Sequence, residues 1–432
     1  MMKKGPFIVF TKNIARAVTC LLVIAGSTNW LPQARCQAVK DATPPQESTQ
    51  PQNQKRLVED PYDFSQPPKI PDVEVPSALD VQQSIDRGVE YLLESQRKTG
   101  AWGAATNTKD LNIYAPIPGA HDGFRMATTS LCISALLAVE TADNAEVQTA
   151  VDRAEAWLME QLPSLKRATS DAIYNCWAHT YSIDALLALR ERQGVSADKR
   201  NQLDRLIVSQ LKMLDTYESV DGGWGYYDFR YGGRKPTSSS TSFLNGAALV
   251  TLKNAEDAGF DVNQRTVERA ITATLRQQKP DFTYLYGEYL KTQPMRGINR
   301  PGGSLGRSQC CNVALRLWGD KEITDNVLEH WLVRLYLRNG WLDMGRKRPV
   351  PHESWMGVAG YFYYFGHYYA GICIEQLPAD KRGPYQGLLA KLMLDRQEKD
   401  GSWWDYPLYN YHQPYGTAYA LLTLKNCLPN RD

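Results

Sequence analysis

The fifteen residues Trp355–Tyr369 hold eight aromatic rings: Trp355, Tyr361, Phe362, Tyr363, Tyr364, Phe365, Tyr368 and Tyr369. A second group lies near the C-terminus: Trp403, Trp404, Tyr406, Tyr409, Tyr411, Tyr415 and Tyr419. Ring faces carry negative quadrupole charge, so a cavity lined by them attracts a cation, holds an isoprenoid chain or stacks a sugar. The same rings also pack well between helix layers, and eight in fifteen residues cannot all point one way on a helix. The few histidines mostly lie beside these clusters. His352 and Glu353 precede Trp355, His367 follows Phe365, and His412 precedes Tyr415. His179 has a comparable place earlier, and His121-Asp122 precedes another apolar run. Imidazole is the usual acid, base or metal ligand near neutral pH. The first catalytic candidates are His352, Glu353 and His367. The ligand-contact candidates are Trp355, Tyr361, Tyr364, Tyr368, His412, Tyr415, His179 and Asp228. Paired carboxylates at a fixed separation would serve glycoside hydrolysis, and Asp122, Asp228, Asp343, Glu353 and Asp405 are the acids near these places. Each of these residues also has an ordinary use as a helix cap, a solvated charge or a satisfied core group.

No H-E-x-x-H or C-x2-C spacing supports a metal, so no metal and no cofactor are expected. Arg346-Lys347-Arg348, with Arg296, Arg300 and Arg307, suits phosphate or an acidic sugar, or a solvated loop. Tyr231-Gly-Gly-Arg234 and Arg300-Pro-Gly-Gly-Ser304 lack the Lys-Ser/Thr ending of a phosphate loop and read as turns.

The elements that must position these residues follow from a repeat. Gln96-x3-Gly100-x-Trp102 and Gln397-x3-Gly401-x-Trp403 share one pattern, and Glu218-x3-Gly222-x-Trp224 repeats it with Glu for Gln. Gly340-Trp341 is a shorter remnant, and weaker turns follow Gln161 and Gln277. The anchors recur at roughly 60 residues, which signals a repeat architecture of six units. Each unit holds an amphipathic segment and a nearly charge-free one. Val81, Ile85, Val89 and Leu92 mark the first amphipathic face, with Ser77 and Asp80 placed to cap it. Met126–Val139, Thr237–Leu252, Tyr361–Ile374 and Gln413–Leu424 carry no charge, and Tyr174–Leu189 carries only Asp184. A helix apolar all round is buried on all sides. Alternation of the two kinds predicts an all-α, two-ring (α/α)6 toroid, with amphipathic helices outside, charge-free helices inside and little strand.

These Q-x3-G-x-W turns resemble the repeats of squalene cyclases and protein prenyltransferases, whose chains form α/α toroids. The resemblance covers roughly residues 79–428, and Ser219-Val-Asp-Gly-Gly-Trp-Gly225 is similar to a turn common in hopene-type cyclases. It implies that Gln96, Gly100, Trp102, Gly222, Trp224, Gln397, Gly401 and Trp403 are structural and tie outer helices together. The family's acid motifs, D-x-D-D and D-C-T-A-E, are absent, as are the Asp-x-Cys zinc pair of prenyltransferases and the G-C-G-E-Q thioester motif. The resemblance therefore implies a fold and leaves catalysis open.

Residues 1–38 carry Lys3, Lys4, Lys12, Arg16 and Arg35, no acid, and the apolar run Ala17–Ala25. That is the layout of a secretory signal peptide, shorter in its apolar part than a spanning helix. Its removal turns the net charge of +2 into 2 − 5 = −3. Residues 39–78 are rich in Pro and Gln and read as a disordered linker, or as an arm packed on the domain through Tyr62 and Phe64. The toroid then spans 79–432, outside the cytoplasm, in the periplasm or beyond. With 49 basic and 47 acidic residues the chain is not a nucleic-acid binder. No later segment suits stable membrane insertion. Six cysteines remain after cleavage and sit in apolar helical runs, as buried free thiols do. The expected function is binding, or transformation, of an isoprenoid or other apolar ligand in an aromatic-lined central cavity. The alternatives are a non-catalytic scaffold for a protein partner and a carbohydrate-active (α/α)6 enzyme.

Overall fold

The computed structural model of the protein describes residues 63–109, 120–139, 144–230 and 233–428. The signal segment, the arm through Tyr62 and half of the Tyr231–Arg234 turn lie outside the described residues. Thirteen α-helices are described, with isolated β-bridges as the only extended pairing among the described residues.

Six helices form an inner ring: α2 (His121–Val139), α4 (Cys176–Arg190), α6 (Ser242–Asp257), α8 (Pro301–Leu317), α11 (Phe362–Glu375) and α13 (His412–Lys425). Each packs on the next, and α13 packs back on α2, which closes the ring. The outer helices are α1 (Ala78–Ser95), α3 (Ala145–Gln161), α5 (Ala197–Tyr217), α7 (Gln264–Leu275), α9 (Asp325–Leu337) and α12 (Ala379–Leu394). The five-residue α10 (Asn339–Asp343) follows α9. The outer helices show one-sided burial, as in α1, where Val81, Ile85, Val89 and Leu92 are buried and Ser77 and Asp80 form a reciprocal cap. Their polar faces meet water, so the toroid predicted from charge alternation is the one that forms.

One inner helix departs from expectation. Arg300-Pro-Gly-Gly-Ser304, read as a turn, is the start of α8, with Pro301 in its first turn. Proline is tolerated there because its missing N–H has no intrahelical partner at that position. The glycines are used for close approach. A Cβ on Gly366 of α11 would lie 2.5 Å from the Gly306 Cα of α8, so these inner helices touch through backbone. Gly340-Trp341, taken as a turn remnant, lies in the short helix α10.

The three full repeat turns share one set of bonds. The indole N–H groups of Trp102, Trp224 and Trp403 donate to the carbonyls of Leu92, Leu214 and Met393, each at the end of the preceding outer helix. Gln96 Nε2 donates to Gly100 O and to Ala150 O of α3, both at 2.8 Å. Gln397 Nε2 donates to Gly401 O and to Ser84 O of α1, both at 2.9 Å. Glu218 reaches the next outer helix through an ion pair with Arg269 at 2.6 Å. Gly100, Gly222 and Gly401 have φ of 93°, 89° and 82°, a region that favours glycine.

Part of the arm assigned to a linker is laid on the toroid. Phe64 packs edge-on against Phe282 and His330, and Gln66 O accepts from the His330 ring at 2.8 Å. A disordered linker is thus corrected for this stretch: an aromatic ring gives a short segment the apolar area it otherwise lacks. The six cysteines of the described residues are free and buried.

Candidate functional site

Successive inner helices are separated by one outer helix, so all six run the same way and their N-terminal ends gather at one mouth. Aromatic residues from several of the first turns and from the loops that lead into them meet there. Tyr174 stacks on Tyr226 at 4.6 Å, and Tyr226 meets Phe243 at 6.0 Å. Phe243 meets Tyr286 at 5.0 Å, and Tyr286 meets His352 at 5.2 Å. Tyr361 stands edge-on to Tyr406 at 5.6 Å, and across the mouth His121 meets Tyr409 at 4.7 Å. Hydroxyls link the band: Tyr174 with Tyr227 at 3.2 Å, Tyr286 with Tyr361 at 3.3 Å, and Tyr361 with His352 Nε2 at 3.2 Å.

Trp177, Tyr226 and Tyr361 keep part of their surface accessible although they stand inside the ring. Burial nevertheless pushes the Tyr226 and Tyr361 phenols far above their ordinary value. These three rings are enclosed by the inner ring and offer only part of their surface to water. Below them the centre is closed. Tyr181, Phe243, Phe365 and Tyr419 are buried, Trp177 stacks on Tyr181 at 5.7 Å, and Tyr419 donates to Tyr181 at 2.5 Å. The expected hollow centre is therefore filled by a plug of packed rings beneath these partly exposed ones.

This arrangement divides the predicted residues. Tyr361 and His352 are at the mouth. Tyr368 is two helical turns further along α11, about 10 Å away, and packs on Tyr419 at 5.5 Å on the far side of the plug. The carboxyl of Asp184 acts on Tyr368 there and is itself pushed up to about 6 by burial. Trp355 is 69% exposed and meets Trp341, so it is on the outer rim. Glu353 is exposed beside it. Tyr364 and Tyr415 are buried around Asp405, which accepts from Tyr415 OH at 2.6 Å and from Tyr364 N at 3.1 Å.

Three histidines are not among these partly exposed rings. His367 is fully buried between Asn339 Nδ2 at 2.8 Å and Tyr363 O at 2.6 Å, facing α10. His179 is held by Gln210 of α5 at 2.6 Å and Asn175 at 3.0 Å. His412 bonds Tyr409 O through Nδ1, and its ring meets Trp404 at 5.2 Å. Burial pushes all three down to about 4, which keeps them neutral. His367 is thus corrected from catalytic candidate to structural residue, because a side chain on the outward face of an inner helix cannot reach the axis. Asp228 is also occupied, by Arg167 at 3.0 Å.

Trp177, Tyr226, Phe243 and Tyr286 were absent from the candidates read from sequence. Tyr226 follows Trp224 by two residues, so its turn carried the signal. Trp177 and Phe243 look like ordinary first-turn residues of apolar helices, and only ring closure aims them at the axis. Asp405 was noted as an acid; its surroundings are what distinguish it. It is fully buried, and burial pushes its carboxyl up to about 7. Among the described residues no group of three or more His, Cys, Asp or Glu is placed to hold a metal ion. A groove of about 470 Å³ between α5 and α7, lined by Val208, Leu211, Asp215, Val262 and Asn263, is on the outer surface away from these rings.

The family model of the squalene-hopene cyclase C-terminal domain matches residues 69–294, more than half of the 432-residue chain. Two solved structures share the fold. An unsaturated glucuronyl hydrolase from Streptococcus agalactiae aligns with TM-score 0.52 and 12% identity, over 84% of this chain and 98% of that one. An inactive variant of the α-1,6-mannanase GH76A of Salegentibacter sp. HEL1_6, in complex with α-1,6-mannotriose, aligns with TM-score 0.50 and 10% identity, over 81% and 99%. At such identities the likeness is one of fold alone. No curated protein sequence matches the chain.

Proposed function

The chain belongs to the squalene-hopene cyclase C-terminal domain family, and from that membership we propose that it binds an isoprenoid or other elongated apolar ligand in the cleft at the mouth of its toroid. One observation carries this reading: Trp177, Tyr226 and Tyr361 are enclosed by the inner ring and yet keep accessible ring surface. Apolar surface held open to water is costly, at about 25 cal/mol per Å², and a ligand that covers it recovers that energy. The band is also rich in hydroxyls, which fix the orientation of a bound molecule.

Glycoside hydrolysis, the activity suggested by the names of the two structural neighbours, is less well supported. It needs two carboxylates facing each other across a groove. Asp228 is paired with Arg167, Asp343 with Arg346, and Asp405 is sealed beneath Tyr415, while Asp122 and Glu353 are exposed. The basic and apolar N-terminus supports export of the chain, with the ligand met outside the cytoplasm.

The test is titration of the purified chain with farnesol and squalene, followed by tryptophan fluorescence and thermal unfolding. A rise in Tm and quenching that both vanish in Trp177→Ala are expected. No stabilisation by either compound would sink the reading.

A further inference from the structure

Arg307 stands in the middle of inner helix α8 and is fully buried. Its Nη1 donates to Gly303 O at 2.9 Å, and its Nη2 to Ile298 O at 2.6 Å and Tyr284 O at 3.2 Å. Every one of these partners is a neutral carbonyl. Its Nε is buried and has no partner. The guanidinium carbon lies 5.5 Å from the Tyr286 ring and 5.2 Å from the Phe362 ring, so the charge is pressed against the wall of the mouth. Buried charges are normally neutralised by a partner of opposite sign. Carbonyl dipoles and ring faces do so only in part, and burial pulls the guanidinium down to about 10.

Burial first, then Arg307 and Arg296, hold His352 below the ordinary imidazole range. Arg296 is exposed on the loop that leads into α8, and both arginines also act on Tyr289, which is 57% exposed. His352 has a φ of 68°, unusual for a residue with a side chain. Such strain is held in place by its surroundings. Here Nδ1–H donates to Gly357 O at 2.7 Å and Nε2 meets the Tyr361 hydroxyl at 3.2 Å. Glu288, the acid beside Tyr289, is paired with Arg276 at 2.7 Å, and Glu353 is exposed. This quadrant of the mouth gathers two arginines and the hydroxyls of Tyr286, Tyr289 and Tyr361. Fixed positive charge behind low-dielectric walls concentrates anions.

We propose that this quadrant, with Arg307 beneath it and Arg296 at its rim, binds a single anionic head group whose apolar chain lies in the aromatic cleft. The head is a carboxylate or a phosphate, since both present several acceptors to arginine and hydroxyl donors. The chain runs past Tyr286 and Phe243 towards Trp177, which meets Phe243 at 6.0 Å. The proposal rests on the apolar-ligand reading above and narrows it to anionic amphiphiles.

The experiment compares dodecyl phosphate, dodecanoate and dodecanol, each below its micelle concentration, by calorimetry and tryptophan fluorescence on the whole chain. At least one anion is expected to bind tenfold or more tightly than the alcohol, and the tighter of the two identifies the head group. Arg296→Gln and Tyr289→Phe, both at the rim, are expected to reduce that anion-over-alcohol preference threefold or more. Equal affinity for all three probes, or a preference untouched by both substitutions, overturns the anion site and leaves the cleft standing. Failure of all three to bind overturns both.

Discussion

Asp405 shows how one residue's setting decides its chemistry. A carboxyl on a loop after Trp404 is ordinary in sequence. In the structure it is fully buried, and burial outweighs the bonds from Tyr415 OH and Tyr364 N that favour its ionised form. Its folded value, about 7, stands above the ordinary carboxyl value of 3.8. The folded state therefore holds this proton more tightly than the unfolded chain does. That contribution to stability is complete below 3.8 and is lost as pH rises through about 7. Asp405→Asn removes the titration. Relative to the parent, the variant is expected to gain ~3 kcal/mol between pH 5 and pH 8, since a tenfold difference in proton affinity is worth ~1.4 kcal/mol. Urea unfolding at the two pH values checks this, and a gain that does not change with pH would refute it.

At the scale of elements, the Gln, Gly and Trp turns join one outer helix to the next. Gly401 combines a φ of 82° with a site where a Cβ would lie 2.4 Å from Arg87 O. Gly194 has a φ of 78° and nothing within 4 Å of that Cβ. Gly194→Ala is expected to cost ~1 kcal/mol from backbone strain alone. Gly401→Ala adds a backbone clash and is expected to cost ~3 kcal/mol or more. Equal costs in chemical denaturation would show that the contact with α1 is unimportant. The buried glycine pair of α8 and α11 plays a different part, letting two inner helices approach without needing unusual dihedrals.

For the whole molecule, closure is what counts. The first helix, α1, is bonded by Gln397 from the last repeat, so the two ends of the fold stabilise each other. Three histidines, His179, His367 and His412, are held neutral near 4 by burial, against an ordinary value of 6.5. Lowered folded values mean stability that is complete above 6.5 and lost as pH falls through about 4, because the unfolded chain then binds the extra protons. Cooperative acid unfolding is expected in that window, opposite in sign to the Asp405 contribution. Replacing His367 by Gln should make stability less dependent on pH there. An unchanged acid profile in that variant would show that its neutral state is not linked to folding. Export, the proposal that concerns the whole chain, is checked by N-terminal sequencing of the secreted protein, with a start near residue 39 as the expected result.

The architecture is legible in the chain itself. Charge alternation every half-repeat leaves two rings as the packing that hides apolar helices and wets amphipathic ones, and the Q-x3-G-x-W turns mark where neighbours join. Helix α8 escapes this reading as an inner helix, because Arg307 and Arg316 break the charge-free pattern and Pro-Gly-Gly reads as a turn. The aromatic, histidine-rich stretches from which the mouth is partly built are legible too. Which of these side chains face one another is settled only by the folded ring. Tyr361 caps the helix that holds Tyr368, and the two fall on opposite sides of the plug; His367 and His352 share a cluster and only His352 reaches the mouth. Facing is set by rotation about a helix and by closure of the ring, which bring together residues such as Trp177, Tyr286 and Tyr361 from different repeats. Local spacing holds no record of that closure, so the fold can be read from the chain and the site largely cannot.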